Sequence, residues 1–453
     1  PYYNYYHWWP AEKGEPPLRL SYFDEEGNAW TYNKPTDSYY LHYFSRKQPD
    51  LNWENPEVRQ EIFDMMRFWF DKGIDGFRMD SISLIAKDPS FPLIDSKKYP
   101  DIFSFYAKEP RLHLYLHEMN RQVLSKYDCM SVGEGSAVMV DDVAKFVDPA
   151  REELNMLYHF DAARIRNTTL PANPESGIDY SLIALKKMFT EWDKAVDKGW
   201  PSIYLGNHDQ PRMVSRFGSD KDEFRALSAK MLITFLLTMR GTPYWFAGDE
   251  IGMRNIRFDR IEDYNDIDTI NRYKKAKAEG KDPQAVLDEQ KETGRDNART
   301  PFQWDRSPEA GFTAGTPWLK VNPDYTWINV ADEEKDPTSI LNYFKKVVSF
   351  RKENPSLIYG SYHLLDAENP QSYTFLRKTG ADTYLIMLNF SPKAAISTPG
   401  IDMSNAHVLL DNYGDRSHMA PQKDITLRPF EAIVFQLNHP VYESFIDSLD
   451  LLE

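Results

Sequence analysis

Cysteine is almost absent from this chain of 453 residues, which contains only Cys129. A single cysteine excludes an intrachain disulfide and any metal cluster built from several cysteines. Cys129 stands directly before the apolar run Met130-Ser131-Val132, and neither adjacent residue is a histidine or a lysine. We therefore expect a small buried side chain here rather than a nucleophile.

Long apolar runs and an excess of positive charge are also missing. No run approaches the roughly 20 apolar residues that a membrane-spanning helix needs. Lysine and arginine number 54 against 69 aspartates and glutamates, which gives a formal net charge of −15. Because an acidic surface repels phosphate backbones, nucleic acid is not expected as a partner. The lack of a long apolar run is the reason that no membrane is expected as a partner.

Aromatic residues are abundant, at 14% of the chain. Aromatic rings pack in protein cores and interfaces, and they also suit the apolar C–H faces of sugar rings. This composition is compatible with a carbohydrate-binding protein without requiring one.

The middle of the chain alternates between short strands and amphipathic helices. Residues 1–50 have no helical period and are predicted to be irregular or short-stranded. Strand-like runs follow at about 74–82, 130–134, 157–160, 202–206 and 243–246. Helices are predicted at about 56–72, 110–127, 179–198, 221–240 and 337–353. This alternation predicts a parallel α/β fold, and the lack of a glycine-rich phosphate loop favours a (β/α)8 TIM barrel over a nucleotide-binding sheet.

After residue 361 the apolar period changes to two. Strands are predicted at about 373–377, 383–389, 407–410 and 432–435. Strands of this length in succession predict a C-terminal antiparallel β domain.

Three acidic residues stand at or just beyond the ends of predicted strands. They are Asp80, Glu134 and Asp209. Because the carboxyl ends of barrel strands form the active-site face, three carboxylates there are expected to converge. A capping or turn role is the alternative for any one of them.

Hydrolysis of a glycosidic bond requires two carboxyl groups. One protonates the leaving oxygen, and the other attacks the anomeric carbon or activates water. Arg78 lies two residues before Asp80, so on a strand both side chains point the same way and the arginine keeps Asp80 ionised. Glu134 must be protonated at rest, and we expect a crowded acidic pocket to raise its pKa.

The segments around these carboxylates resemble motifs II, III and IV of glycoside hydrolase family 13, the α-amylase family. They are similar above all to the branch of oligo-1,6-glucosidases, α-glucosidases and sucrose isomerases. The segments that carry this resemblance are Gly76-Phe77-Arg78-Met79-Asp80, Ser131-Val132-Gly133-Glu134, Lys47-Gln48-Pro49-Asp50-Leu51-Asn52-Trp53, Asn207-His208-Asp209-Gln210-Pro211-Arg212, Gly241-Thr242-Pro243-Tyr244 and Arg295-Asp296-Asn297-Ala298-Arg299-Thr300-Pro301-Phe302-Gln303-Trp304.

The resemblance implies a role for each candidate residue. Asp80 would be the nucleophile, Glu134 the acid/base and Asp209 the transition-state stabiliser. The residues expected to bind substrate are Arg78, His208, Arg295, Ser81 and Phe160. A pocket closed by Arg295 at the non-reducing end implies an exo-acting enzyme that releases single glucose units from a small oligosaccharide or disaccharide.

The first motif of the family, Asp-x-x-x-Asn-His, is not found in this sequence. We therefore expect residues 1–50 to be the remainder of the inserted domain B, and residues 51–360 to supply strands 4–8 of the barrel, with the first three strands outside this chain. Residues 361–438 would form the C-terminal β domain and residues 439–453 a tail.

Neither a cofactor nor a metal bound by these residues is expected. The resemblance places a structural calcium, where the family has one, in the N-terminal part of the barrel. His113 and His117 have zinc-like spacing, but they are predicted to be surface or packing residues because no third ligand is evident. The run Asp263, Asn265, Asp266 and Asp268 lacks the turn glycine of a calcium loop. The charged stretch 274–292 is predicted to be a solvated helical excursion.

Three functions remain open at this point. Ser81 follows the nucleophile and, by resemblance, argues against a strict preference for α-1,6 linkages. Sucrose isomerisation is kept as the alternative function. It is the weaker of the two, because the stretch Arg164-Ile165-Arg166-Asn167-Thr168 lacks both acids that the sucrose isomerases carry there. A non-catalytic sugar-binding homologue is the third hypothesis. The single cysteine and the resemblance to this branch favour a cytoplasmic location.

Overall fold

The computed structural model describes residues 2–23, 27–95, 97–99, 102–162, 165, 179–380, 382–417 and 423–437. The chain divides into two compact units. Unit 1 comprises Pro1–Phe160, Lys194–Pro201 and Ile270–Pro283. Unit 2 comprises Asp161–Asp193, Ser202–Thr269 and Gln284–Glu453. The predicted domain boundaries stay predictions, and the tail 439–453 lies outside the described residues.

The first part of unit 1 is a small antiparallel sheet. Its strands are β1 (Trp8–Pro10), β2 (Trp30–Asn33) and β3 (Ser38–Leu41), in the order β1-β3-β2. Aromatic side chains fill the core beneath it, among them Trp30, Tyr43 and Tyr106. The prediction of short strands in residues 1–50 is confirmed.

The second part of unit 1 is a parallel sheet with one helix before its first strand and further helices between its strands along the chain. The strands are β4 (Gly76–Met79), β5 (Met130–Glu134) and β6 (Met156–Tyr158), in that order. The helices are α1 (Pro56–Asp71), α2 (Ile102–Tyr106), α3 (Pro110–Gln122) and α4 (Ala144–Val147). In register, Met79 pairs with Gly133, and Glu134 pairs with Tyr158. Parallel strands in this register bring the residues at their carboxyl ends to one edge of the sheet.

Helix α1 begins and ends where its sequence predicts. The Asn55 side chain accepts a hydrogen bond from the backbone of Glu57, with Pro56 at the first helical position. Gly73, just beyond the end of α1, has φ +92°, a conformation that glycine adopts without strain. The buried face of α1 is formed by Val58, Phe63, Met66 and Phe70, while Trp69 is exposed.

Helices and two short parallel strands follow along the chain. The strands are β7 (Ser202–Ile203) and β8 (Thr242–Pro243), which pair with each other. The helices are α5 (Leu182–Ala195), α6 (Met213–Phe217), α7 (Arg225–Thr238), α8 (Ile267–Ala278), α9 (Pro283–Thr293), α10 (Val330–Glu333), α11 (Ile340–Glu353) and α12 (Ser356–Tyr359). Helices α8 and α9 confirm the predicted helical excursion over residues 274–292.

The C-terminal part of unit 2 is the predicted antiparallel β structure. Its strands are β9 (Ser361–Leu365), β10 (Ser372–Thr379), β11 (Asp382–Asn389), β12 (Ala395–Ser397), β13 (Ala406–Asp411), β14 (Ile425–Leu427) and β15 (Ala432–Leu437). The main sheet has the order β13-β15-β11-β10-β9, and β12 pairs with β14. Its core is aliphatic and includes Leu376, Leu385 and Ile433.

Candidate active site

Two of the predicted carboxylates lie on neighbouring strands of unit 1. Asp80 directly follows β4, and Glu134 is the last residue of β5. The pairing of Met79 with Gly133 brings both residues to the same end of the sheet. The sequence-based prediction that strand ends gather these two groups is confirmed.

One arginine contacts both carboxylates. Nη1 of Arg78 pairs with Oδ1 of Asp80, and Nη2 lies 2.7 Å from Oε2 of Glu134. The same Nη2 donates to the hydroxyl of Tyr158, which ends the next strand, β6. Because a single guanidinium reaches all three side chains, they form one compact cluster.

The two carboxylates occupy different environments. The side chain of Asp80 is 78% exposed, whereas Glu134 is buried, with 6% of its surface accessible. Burial, together with a hydrogen bond to Asp80, raises the pKa of Glu134 to about 7. The backbone N–H of Ser81, 3.0 Å from Oε2, and the charge of Arg78 oppose this rise. The predicted rise is present, but burial rather than acidic crowding is its main cause.

Ser81 holds a backbone conformation that few side chains adopt. Its φ is +42° and its ψ is +34°, in the left-handed region. A non-glycine residue there carries strain, which the surrounding structure must offset. The conformation directs the N–H of Ser81 toward Glu134, so this residue contacts the acid through its backbone.

Phe160 lies beside Tyr158 at the end of β6. Their ring centroids are 5.9 Å apart, and the rings are tilted by 59°. Tyr158 was not singled out by the sequence-based prediction. Its spacing of two from Phe160, which puts both on one side of a strand, is the signal that could have found it.

The other predicted site residues belong to unit 2 and form a second cluster. Asp209 follows a turn in which its N–H donates to Oδ1 of Asn207 at 2.8 Å. Nη1 of Arg295 lies 3.3 Å from Oδ1 of Asp209, and Nε2 of His208 lies 3.2 Å from Oδ2. The predicted Asp209, His208 and Arg295 are thus brought together.

Two further residues complete this second cluster. Arg299 places Nη2 2.6 Å from Oδ1 of Asp209, and its Nε donates to the carbonyl of His208 at 2.8 Å. The buried carboxylate of Asp266 pairs with Nη2 of Arg295 and lies 4.0 Å from Nη1 of Arg299. Two arginines therefore link two aspartates. Arg299 could have been predicted, since it lies four residues after Arg295 in the same motif, residues 295–304.

The weaker metal candidates have other partners. His113 contacts Glu153 at 2.8 Å, and His117 contacts the carbonyl of Arg151 at 3.1 Å, as expected of packing residues. Asp266, part of the loose calcium-like run, pairs with arginine instead. Within the part of the chain that the structure describes, no group of three or more His, Cys, Asp or Glu side chains is arranged to hold a metal ion.

Cys129 is half-buried rather than fully buried. Its thiol donates to the carbonyl of Leu124 at 3.4 Å, and burial raises its pKa, which agrees with an unreactive side chain. Among the described helices, none is long and apolar enough to cross a membrane. The isomerase-related residues Arg164 and 166–168 lie outside the described residues.

Comparison with known proteins identifies the family. Residues 1–360 match the family model described as the catalytic domain of alpha amylase. The chain is 47% identical to the oligo-1,6-glucosidase of Parageobacillus thermoglucosidasius, over 97% of this chain and 79% of that protein. It is 40% identical to an alpha-glucosidase of Pediococcus pentosaceus, over 91% of this chain and 73% of that protein.

Solved structures give a similar result. An isomaltulose synthase mutant from Erwinia rhapontici NX5, solved in complex with its natural substrate sucrose, superposes with a TM-score of 0.90 at 38% identity. The match covers 97% of this chain and 78% of that one.

Proposed function

The chain belongs to the α-amylase family of glycoside hydrolases, and from that premise we propose that it is a retaining, exo-acting α-glucosidase. It has the barrel fold of that family's catalytic domain with a C-terminal antiparallel β domain. The substrate proposed is a short α-glucoside, from whose non-reducing end glucose is released. This substrate class agrees with the activities for which the glucosidase relatives are named.

The observation that carries the proposal is the arginine between two unlike carboxyl groups. Arg78 contacts both the exposed Asp80 and the buried Glu134. Retaining enzymes keep their two carboxyl groups closer together, about 5 to 5.5 Å apart, than inverting ones. Because Asp80 and Glu134 both contact the guanidinium of Arg78, the closer arrangement of a retaining enzyme is supported. The difference in burial between the two carboxyl groups supports different roles for them.

The reaction follows from these environments in two steps. The carboxylic acid of Glu134 protonates the glycosidic oxygen while the carboxylate of Asp80 attacks the anomeric carbon. The bond to the leaving sugar breaks, and a glucosyl ester forms on Asp80. Glu134, now a carboxylate, takes a proton from water, whose oxygen attacks the anomeric carbon and releases Asp80.

The second cluster, in unit 2, is proposed to hold the sugar that reacts. The family resemblance implies that Asp209 stabilises the transition state and that His208 and Arg295 contact the glucose. We add Arg299 and Asp266, because their ion pairs fix the position of Asp209 and Arg295. Charged groups that are held in fixed positions can orient the sugar and stabilise the charge that develops as the glycosidic bond breaks.

Sucrose isomerisation is the second candidate, and the similarity to isomaltulose synthase is the observation in its favour. Both activities use the same glucosyl ester. They differ in whether water or the retained second sugar attacks it. A non-catalytic role is less well supported for two reasons. Glu134 has a raised pKa and lies beside the exposed carboxylate of Asp80, and the relatives named above are enzymes. Three expectations stay predictions: a cytoplasmic location, no required cofactor, and a structural calcium, where the family has one, in the N-terminal part of the barrel.

Glucose release tests the proposal directly. The protein is incubated with isomaltose, maltose, sucrose and trehalulose, and glucose is measured beside any new disaccharide. We expect glucose from at least one of these sugars and none from Asp80→Asn. Asp128→Asn is the matched control, because Asp128 is exposed and precedes the opposite end of β5.

The outcomes separate the candidates. A new disaccharide from sucrose with little glucose would establish the isomerase instead. A folded protein that turns over none of the four sugars would contradict both enzymatic proposals.

A further inference from the structure

Arg78 lies across the carboxyl ends of three neighbouring strands of unit 1. It belongs to β4, its Nη2 lies 2.7 Å from Oε2 of Glu134 at the end of β5, and the same Nη2 donates to the hydroxyl of Tyr158 at the end of β6. The guanidinium carbon also lies over the Tyr158 ring, 5.4 Å from its centre. Tyr158 therefore contacts Arg78 in two ways, through its hydroxyl group and through its ring.

The two acidic partners of Arg78 change their charge during the proposed reaction. Before the reaction, Glu134 carries its proton and Asp80 is a carboxylate. In the glucosyl ester, Asp80 has lost its charge and Glu134 has become the carboxylate. Each ion pair with Arg78 therefore exists in only one half of the reaction. The side chain of Asp80 is in addition 78% exposed, so solvent weakens its pair with Arg78.

The third partner, Tyr158, keeps the same state throughout. Burial, reinforced by the charge of Glu134, raises the pKa of its phenol above the usual value of 10. The phenol is therefore neutral both before the reaction and in the ester. Its oxygen can accept a hydrogen bond from Arg78 in either state, because a neutral phenol has lone pairs to offer.

We propose that Tyr158 is a positioning residue that keeps the guanidinium of Arg78 in place while Asp80 and Glu134 exchange their charges. This inference rests on the proposed function, which assigns the two carboxyl groups their roles. All the residues that it requires lie on three adjacent strands of one unit or directly after them.

A loosely held Arg78 would change the acidity of Glu134. Among the described residues, the groups that act on Glu134 come from the two neighbouring strands and the turn after β4: Arg78, Asp80, the N–H of Ser81, and Tyr158. The positive charge of Arg78 opposes the rise that burial causes in the pKa of Glu134. Without the anchoring hydroxyl, Arg78 should oppose that rise less, so the pKa of Glu134 should increase further.

The test uses Tyr158→Phe, which removes the hydroxyl and keeps the ring. For the unaltered protein, kcat/KM for isomaltose should fall above pH about 7. In Tyr158→Phe the decline should begin about half a pH unit higher or more. Tyr158→Leu, which also removes the ring, should move the decline further. A pH series of initial rates at low isomaltose concentration measures both shifts.

An infrared titration of the Glu134 carboxyl band measures the same pKa without turnover, with Glu134→Gln to assign the band. The pKa should increase in Tyr158→Phe. Because this measurement needs no substrate, it decides the inference even for a protein that turns over no sugar. Failure of the proposed function and failure of this inference are therefore separate results.

Tyr115→Phe is the matched control, because Tyr115 on α3 is the partner of another arginine of unit 1. The guanidinium carbon of Arg59 lies over the Tyr115 ring at 4.9 Å. This control should leave the pKa of Glu134 unchanged.

Two results would overturn the inference. A decline at the same pH in Tyr158→Phe as in the unaltered protein would mean that the hydroxyl has no effect on Arg78 and that the tyrosine only fills space. A decline at lower pH would mean that the hydroxyl competes with Glu134 for Nη2 instead of anchoring the guanidinium.

Discussion

At the scale of single residues, the chemistry depends on how differently two nearby carboxyl groups are solvated. Glu134 is buried and Asp80 is exposed, although both contact Arg78. Burial disfavours the charged form of Glu134, and Arg78 opposes this only in part. The result is an acid that holds its proton near neutral pH beside a group exposed to water.

The pKa of Glu134 predicts the alkaline side of the activity profile. The free enzyme needs Glu134 protonated, so kcat/KM for isomaltose should fall above pH about 7, by close to tenfold for each further pH unit. A pH series of initial rates at low isomaltose concentration measures this decline. Asp128→Asn should show the same decline, and a kcat/KM that stays level to pH 9 would contradict the assignment of Glu134 as the acid.

Sequence reasoning at this scale succeeded where partners are close along the chain. The pairing of Arg78 with Asp80 follows from a spacing of two on a strand, and the structure confirms it. The contacts of Asp266 with Arg295 and of Arg78 with Tyr158 were not predicted, because no sequence pattern connects these partners, which are separated by 29 and 80 residues. Only the tertiary structure brings such pairs together.

At the scale of secondary structure elements, the pairing of β4 with β5 determines how Asp80 and Glu134 are placed. Gly76 begins β4, and a Cβ added there would lie 2.0 Å from the backbone carbonyl oxygen of Met130 at the start of β5. No side chain can occupy that space unless the two strands move apart. Glycine at this position therefore permits the register that brings the two carboxyl groups together.

Gly76→Ala should accordingly destabilise the protein by roughly 1 to 3 kcal/mol or more, because the strands must shift. Thermal unfolding followed by circular dichroism measures the loss. Gly315→Ala is the control, since the nearest atom to a Cβ there, Oγ1 of Thr313, is 3.8 Å away. Equal melting temperatures for the two variants would show that β4 and β5 tolerate the added methyl group.

The elements themselves were largely predictable, but their lengths were not. Strand β5 matches its predicted run, residues 130–134, from first residue to last. Strands β7 and β8 contain two residues each, although the apolar runs that predicted them are longer. The residues after β7 lead into the turn at Asn207 that precedes Asp209, a change that apolar composition does not reveal.

At the scale of the whole molecule, an acidic chain of net charge −15 uses several cations in its interior. Arg351 and Arg377 are buried and donate to backbone carbonyls at the end of α7, including Leu237 and Thr238. Lys186 on α5 is fully buried and donates to the carbonyls of Asp366, Asn369 and Ser372, at 2.8, 2.8 and 3.2 Å. Arg377 and Lys186 tie helices of unit 2 to its antiparallel sheet, and Arg351 ties α11 to the end of α7.

Lys186 makes the stability of the protein depend on pH. Burial lowers its pKa from 10.5 to about 8, although the charges of Asp366 and Glu368 oppose this. Between pH 8 and 10.5 the unfolded chain keeps this proton and the folded chain loses it. The contribution of Lys186 to the free energy of unfolding must therefore rise with pH in that window, by on the order of 3 kcal/mol in total.

Urea unfolding at pH 7, 8, 9 and 10 isolates this contribution when the protein is compared with Lys186→Met. Methionine leaves the three carbonyls without their donor at every pH, so the variant is less stable throughout, but it has no group to titrate. The stability difference between the two proteins should widen as pH increases above about 8. Lys187→Met, which alters the exposed neighbour on α5, should keep the pH dependence of the unaltered protein. If the free energy of unfolding changed with pH in the same way for the protein and for Lys186→Met, Lys186 would have the same pKa in the folded and unfolded states. Its hydrogen bonds to the carbonyls would then offset completely the effect of burial on its pKa.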